Sequence, residues 1–564
     1  MFLPTTKKEL KSLRWSGLDV ILVTGDAYID SPFIGTAVIG KILCDTGLRV
    51  GIIAQPDTAS GADITRLGEP ELFWGVTAGC IDSMVANYTA TGRKRRSDEY
   101  TPGNLNTRRP DRASIVYSNL IRRHFKNTRP IVLGGLEASL RRIAHYDFWS
   151  DQVRRSILFD AKADYLLYGM ADRSVIELAC ALREGMRPYE IRGLCYSSPA
   201  IPENALELPS FESAARDKKV FRDMFNLFYG QNDPVYGRKL AQKQNGRYLI
   251  HNPPPFPLSQ KELDHVYGLD YERELHPFHR SGGAVKALDT IRFSITTHRG
   301  CYGECNFCAI AVHQGRRVTW RSRESILGEA RELAAHPRFK GIISDVGGPT
   351  ANMYAIECSR KENEGSCRQR RCLFPEVCPG LSVNHGEQIA LLKELRAVPG
   401  ARKVFVASGI RHDMVLSDTH KGISYLRELV RHHISGQMKI APEHSEVRVL
   451  RMMGKPGPKE LVRFRNLFYR LIKEEKKNRF LTYYLIAAHP GCTDEDMKRL
   501  RAFALRELRL LPEQVQIFTP TPSTYATVMY WTGENPFDGK ACFVERTVRG
   551  RERQKGILAK NRNR

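Results

Sequence analysis

The sequence predicts an α/β protein: a doubly wound, Rossmann-like N-terminal domain followed by a partial (β/α)6 TIM-type barrel. Three observations carry that expectation. The 564 residues are too many for one ordinary domain. Strand-like and helix-like runs alternate in two stretches separated by a Pro-rich segment. Every expected strand of the second stretch ends in a conspicuous turn, as barrel loops at a functional face do.

Residues 1–195 form the first domain. Asp19–Thr24 reads as a buried strand, followed by Gly25-Asp26 and a helix from Thr36 to Asp45 that stops at Gly47. Arg49–Ala54 is a second strand, so the opening reads as a βαβ unit of a parallel sheet. Further strands are expected at Leu72–Val76, Pro130–Leu133 and Asp164–Tyr168, the last two ending in Gly134-Gly135 and Gly169. Residues 196–286 read as a connecting region punctuated by Pro199, Pro202, Pro209 and Pro253–Pro255, helical only over 212–244.

The barrel is expected over 287–545. Its strands are Ile291–Thr296, Gly341–Asp345, Lys403–Ala407, Gln437–Ile440, Thr482–Ala487 and Gln514–Phe518. Helices are expected between them at 322–335, 386–397, 421–432, 459–477 and 494–509. In 459–477, Leu461, Phe464, Leu467, Phe468, Leu471 and Ile472 recur at helical spacing. The strand ends carry His298–Cys301, Gly347-Gly348-Pro349, Ser408-Gly409, Ala441–His444, His489-Pro490-Gly491 and Thr519–Pro522. Residues 546–564 read as a basic C-terminal tail, a frayed end rather than a nucleic-acid arm.

Apolar residues at 42% and charged residues at 26% fit a globular protein and exclude a disordered or fibrous one. No run of eighteen apolar residues exists, so no transmembrane helix is expected. Met1–Gly17 lacks the apolar core of a secretory signal. Lysine and arginine number 87 against 62 acids, and the net +25 suits an anionic substrate or RNA. Seven of the 13 cysteines lie between 301 and 378, which is clustering for ligation; together with the odd total it argues for the reducing cytoplasm rather than a disulfide framework.

Cys301, Cys305 and Cys308 are spaced C-x3-C-x2-C directly after the first barrel strand. Three soft ligands in eight residues suit three corners of a cubane iron–sulfur cluster. No fourth cysteine lies nearby, so one iron stays open for a small molecule. Phe307 would shield the cluster from water. Zinc wants four ligands and paired spacing, which this loop lacks.

These residues resemble the signature of the radical S-adenosylmethionine (radical SAM) superfamily. The strings Thr296–Cys301, Gly347–Met353 and Lys439–His444, with Gly25–Asp30 and Gly134–Ser139, resemble its YgiQ-type family over most of the chain. The resemblance implies a [4Fe–4S] cluster on Cys301, Cys305 and Cys308. It also implies reductive cleavage of S-adenosylmethionine (SAM) to methionine and a 5′-deoxyadenosyl radical, fed by a reductant such as flavodoxin or ferredoxin. No substrate and no catalytic residue acting on one is implied. Gly347 and Gly348 resemble the superfamily's Gly-Gly-Glu element that receives the SAM methionine, with Pro349 where the acid often stands. Glu443, and more weakly Ser408, stand where ribose-binding groups occur in related barrels. His444 either joins them or caps the following helix, and His489-Pro490-Gly491 and Thr519-Pro520 shape the adenine side. The alternative reading is a basic RNA-binding or RNA-modifying protein whose metal sites are structural.

A second group, Cys358, Cys367, Cys372 and Cys378, lies in an insertion at 355–382. A shared metal in a lobe over the barrel mouth is expected, because large apolar residues are scarce there. Zinc and an auxiliary iron–sulfur cluster are both compatible; the alternative is four free thiols. The first domain resembles cobalamin-binding and other Rossmann-like domains that precede many radical barrels. Histidine-ligated cobalamin needs Asp-x-His-x-x-Gly, and the nearest match, Asp30–Gly35, has Pro32 in the histidine's place. Histidine-ligated cobalamin is therefore not expected; cobalamin bound without that ligand has no motif to support it, and a substrate-docking domain is the preferred reading. The basic clusters Arg93–Arg96 and Arg108-Arg109 there would face an anionic substrate or solvent.

Overall fold

The computed structural model describes residues 1–512 and 515–558. The chain divides into two compact units, Met1–Leu258 with His265–Arg292, and Ser259–Asp264 with the chain from Phe293 onward.

The first unit is built on a nine-stranded sheet. Val20–Thr24 lies between Val50–Ala54 and Phe73–Thr77, and Ile131–Leu133 and Tyr165–Leu167 follow, all parallel. Numbered along the chain, these five strands run 2-1-3-4-5, the flavodoxin-like doubly wound order. Val20, Ile21, Leu22 and Val23 are all buried, as expected of a parallel strand covered on both faces.

The region expected to be a connector instead extends this sheet. Leu194–Ser198 joins antiparallel to Tyr165–Leu167, then Arg247–His251 and Leu240–Gln244 add on, and Leu206–Leu208 closes the edge. Its prolines stand outside these strands, where no ladder hydrogen bond is lost. The helical expectation over 212–244 resolves into Phe211–Arg216 and Lys218–Gly230, and the latter buries Phe221, Met224, Phe225 and Phe228.

In the second unit six parallel segments follow one another in chain order. Ser294–Thr296 pairs with Asp345–Gly347, and Ile342–Ile343 pairs with Lys403–Val404. The bridge Ile410 to Ile440 and the bond from Val406 N–H to His433 O (3.0 Å) lead on to Gln437–Glu443. Phe480–Ala487 and Val515–Ile517 complete the set. Among the described residues the first and last strands do not pair, so the partial barrel is open. The first strand starts later than expected because Ala287–Ile291 is helical. Gln514, the expected start of the last, lies outside the described residues.

Helices pack against these strands. In Pro458–Glu474, Pro458 starts the first turn, where its missing N–H costs nothing, and Leu461, Phe464, Phe468 and Leu471 are buried. They share one core with Ile343, Val404, Ile440 and Leu481. The expected basic tail is a packed helix over Val548–Leu558. Its buried Gln554 accepts from Ala488 N–H (2.9 Å) and donates to Cys492 O (3.0 Å), which fastens the loop after Phe480–Ala487. Residues 559–564 of that tail lie outside the described residues.

Candidate iron–sulfur and cofactor site

The three-cysteine loop leaves the first barrel strand through Gly300, which has φ +83°. A Cβ there would lie 1.9 Å from Arg317 O, so only glycine permits this exit. Gly303 then sits among the sulfurs: its ideal Cβ position is 3.3 Å from Cys301 Sγ, 3.6 Å from Cys305 Sγ and 3.4 Å from Arg411 Nη1. Gly303 N–H points at Cys301 Sγ (3.3 Å). Asn306 pins the loop by donating from its backbone to Met453 O (2.9 Å) and from Nδ2 to Met452 O (2.7 Å). Glu304, with φ +44°, is buried against Lys361 (3.4 Å) and Arg316 (3.7 Å). Burial alone would raise its pKa, but those cations hold the carboxyl below its ordinary range.

Burial pushes the Cys308 thiol up to about 12 and raises Cys301 as well. Ligation needs thiolates, and two cations oppose the upward shifts, Arg411 that of Cys301 and Lys455 that of Cys308. Arg411 also donates to Cys305 Sγ (3.7 Å). Arg411 is held in turn. Its guanidinium is paired with Asp413, whose pKa is down at about 2 because Arg411 outweighs the effect of burial. Its backbone exchanges two bonds with the Asn352 amide (2.8 and 3.0 Å). Asn352 Nδ2 donates to His385 Nε2 (3.2 Å), and His385 Nδ1 donates to Asp418 (2.7 Å).

Gly347 and Gly348 lie beside this loop. Thr297 N–H donates to Gly347 O (2.7 Å), and Thr350 Oγ1 approaches Cys301 Sγ at 3.7 Å. A Cβ on Gly348 would fall 2.5 Å from His298 Nε2. That histidine donates from Nε2 to Thr350 O (3.0 Å) and therefore accepts from Thr297 Oγ1 at Nδ1 (2.8 Å). Ser408 adjoins Gly347, but its hydroxyl donates to Asp345. Glu443 is buried at the end of its strand with φ +68°, paired with Leu485 beyond a register shift after Ile440. Burial raises its pKa, against Lys455 at 3.5 Å. His444 takes the structural alternative: its Nδ1 accepts Glu446 N–H (3.0 Å) and its Nε2 meets Cys492 Sγ (3.5 Å). His489 donates from Nδ1 to Pro490 O (2.8 Å), while its buried Nε2 has no partner among the described residues. Its ring lies between Phe307 (6.1 Å) and Phe518 (5.0 Å).

The second cysteine group departs from expectation. Cys358 and Cys372 are buried with Tyr302, Met353, Ile356 and Leu373 in a small apolar core, and Cys301 and Cys378 pack against it. That core, drawn from distant parts of the chain, folds the lobe that a metal was expected to fold. Among the described residues no three His, Cys, Asp or Glu side chains gather round a single ion. A cubane does not ask that of Cys301, Cys305 and Cys308, since each thiolate binds a different iron. Tetrahedral zinc would ask it of the second group, whereas an auxiliary iron–sulfur cluster would not. The lobe is latched to the first loop: Tyr302 Oη donates to Ile356 O (2.9 Å) and Arg371 to Glu304 O (2.9 Å).

The radical SAM N-terminal family matches residues 2–294, and the radical SAM superfamily matches residues 295–504. The chain belongs to the radical SAM superfamily. Curated relatives include UPF0313 proteins. That of Fusobacterium nucleatum is 53% identical over 562 residues, covering 100% of this chain and 99% of the relative. That of Thermotoga maritima is 49% identical over 568 residues, covering 100% of both. Two solved structures share the fold at a TM-score of 0.50. One is the radical SAM methyltransferase TsrM of Kitasatospora setae with cobalamin and a [4Fe–4S] cluster bound (16% identity, 91% of this chain, 77% of that one). The other is the cobalamin-dependent radical SAM enzyme OxsB with aqua-cobalamin bound (13% identity, 95% and 58%). No helix among the described residues is long and apolar enough to cross a membrane.

Proposed function

We propose that the chain is a radical SAM enzyme whose cluster ligands are Cys301, Cys305 and Cys308, with Gly347, Gly348 and Glu443 holding SAM beside them. One observation carries the reading: two sulfurs of a C-x3-C-x2-C loop surround Gly303 next to the Gly347-Gly348 turn, with Arg411 against Cys305. A bound [4Fe–4S] cluster would supply one electron to the SAM sulfonium, breaking its bond to C5′ and leaving methionine and a 5′-deoxyadenosyl radical.

The protein's own groups do the positioning. The bare backbone at Gly347 and Gly348 lets an amino-acid headgroup approach. Glu443 is placed to accept ribose hydroxyls, with Lys455 steadying its charge. The unpartnered Nε2 of His489, an acceptor between two phenyl rings, suits the amino group of adenine. Ser408 spends its hydroxyl on Asp345 and acts as a spacer beside Gly347. A low-potential electron carrier such as flavodoxin or ferredoxin would feed the cluster, and 13 free thiols favour the reducing cytoplasm.

The structural neighbours hold cobalamin, and the crevice where a doubly wound sheet of this order takes a ligand carries a buried ion-pair network in this chain. In the 2-1-3-4-5 order a ligand sits outside the first and third strands. There Asp26 accepts from Cys80 N–H (2.6 Å) and pairs with the buried Arg109 (2.7 Å), which also holds Asp98 (3.0 Å). A corrin would have to displace this network, and no step is assigned to one.

Anaerobic reconstitution should give about four irons and four sulfides per chain. Dithionite should then release 5′-deoxyadenosine and methionine from SAM in equal amounts. Retention of that cleavage by Cys305→Ala would refute the assignment.

A further inference from the structure

The crevice that doubly wound sheets use for small ligands carries the Asp26–Arg109–Asp98 network here, and exposed cations lie on the chain that leaves the same sheet end. The chain between Phe73–Thr77 and the helix Ala113–His124 leaves the carboxyl end of the sheet. It runs through the short helix Ser83–Asn87 into a hairpin, bridged at Tyr88 to Lys94 and at Ser97 to Leu105. Asn106 ties its two arms, donating to Asn87 O (3.4 Å) and Arg95 O (3.1 Å).

Lys94, Arg95, Arg96 and Arg108 are all exposed on this hairpin. Arg95 is fixed in direction by bonds to Val85 O and Tyr88 O (3.1 Å each). The acids nearby are engaged elsewhere. Asp98 belongs to Arg109, Glu99 pairs with Lys286 (2.8 Å), and Asp111 accepts from Asn87 and Tyr88 (2.7 Å each). The hairpin therefore shows a positive face backed by a rigid base.

Aromatic rings adjoin it. Tyr88 lies 5.6 Å from Trp149, which lies 5.1 Å from Phe148, and all three are only partly buried. The turn that carries them also follows a carboxyl end of the sheet, after Ile131–Leu133. It is anchored by Asp147, bound to Arg112 (2.7 Å) and to Ser150 N–H (3.1 Å). Leu105 is 60% exposed beside the cations.

We propose that the hairpin at residues 88–108, with Tyr88 and Trp149 beside it, is a docking surface for single-stranded nucleic acid. Cations alone would suit any polyanion or an acidic protein. Cations on a hydrogen-bonded hairpin next to half-buried rings suit a strand whose phosphates meet the first and whose bases stack on the second. The surface stands on the first unit alone and does not depend on the cluster reading.

The test is fluorescence anisotropy on the cluster-loaded full chain with labelled single strands of about 12 nucleotides, one RNA and one DNA. Salt is varied from about 50 to 200 mM. The proposal expects Lys94→Ala/Arg96→Ala/Arg108→Ala to weaken binding at least tenfold and to flatten the salt slope by about 2, at ~0.7 per phosphate. Trp149→Ala should weaken it about tenfold without changing the slope, and Trp149→Phe should restore part of the loss. These substitutions are at exposed or half-buried positions, and unchanged thermal melts verify that the fold is intact. Tighter binding of one strand identifies RNA or DNA as the natural source. Absence of binding, or affinity indifferent to the triple variant, overturns the proposal. Loss with the cations but indifference to Trp149 also overturns it, leaving a surface that takes any polyanion by charge alone.

Discussion

Arg411 Nη1 lies 3.7 Å from Cys305 Sγ, at the end of a buried chain that runs back through Asn352 and His385 to Asp418. A guanidinium donating to a ligand sulfur stabilises the more negative, reduced state of a cluster. Replacing Arg411 by Met should therefore lower the midpoint potential. A charge-assisted hydrogen bond of about 1.5–3 kcal/mol corresponds to roughly 60–130 mV for one electron. Arg411→Lys should fall between. Redox titration followed by EPR, with iron content as control, measures it; equal potentials at full iron content would count against this role.

The Asp26–Arg109–Asp98 network should be structural. All three side chains are at most 3% exposed. Removing Arg109 strands two buried carboxylates, so Arg109→Ala should destabilise the first unit by about 3–5 kcal/mol. Denaturant unfolding followed by the fluorescence of buried Trp74, in a chain whose other four tryptophans are replaced by Phe, reads that unit.

Gly300→Ala should abolish cluster assembly while leaving the helices intact. Its Cβ would collide with Arg317 O at a backbone angle that L-residues rarely adopt. Far-UV circular dichroism should match the wild type, while reconstituted iron falls to background.

Acid should unfold the protein well above the carboxylate range. His145, His298, His412 and His489 are buried, and burial brings each from about 6.5 down to about 4. For a histidine depressed in this way the unfolded state takes the proton first. The stability it contributes is present above pH 6.5 and is lost as pH falls from there toward 4. Each such group adds about 1.4 kcal/mol per pH unit to the slope in that window. Urea midpoints measured from pH 8 to 4 should be level above 7 and steep below 6.5. A flat profile down to pH 5 would contradict the neutral, buried assignment.

The second unit was legible in the sequence because its grammar is local. Each strand is a short apolar run ended by glycine or proline, and the three cysteines follow the first strand within a few residues. What escaped depends on distant partners. Arg247–His251 is a strand because it reaches Leu194–Ser198 across a long excursion, which the flanking prolines disguise, and Leu240–Gln244 is held between it and Leu206–Leu208. The cysteine-rich lobe looked coreless because its core includes Tyr302, Met353 and Met414 from outside the insertion. Arg411 stood three residues beyond Ser408, one basic residue among 87. Only the pairing with Asp413 and the approach to Cys305 distinguish it.

The central claim is that Cys301, Cys305 and Cys308, and not the second cysteine group, hold a cluster with an open iron. Low-temperature EPR of the dithionite-reduced, reconstituted protein tests it most directly, recorded with and without SAM. The wild type should give a [4Fe–4S]+ signal that changes shape when SAM is added, and Cys301→Ala/Cys305→Ala/Cys308→Ala should give none. A signal that survives in the triple variant, or one indifferent to SAM in the wild type, would contradict the account.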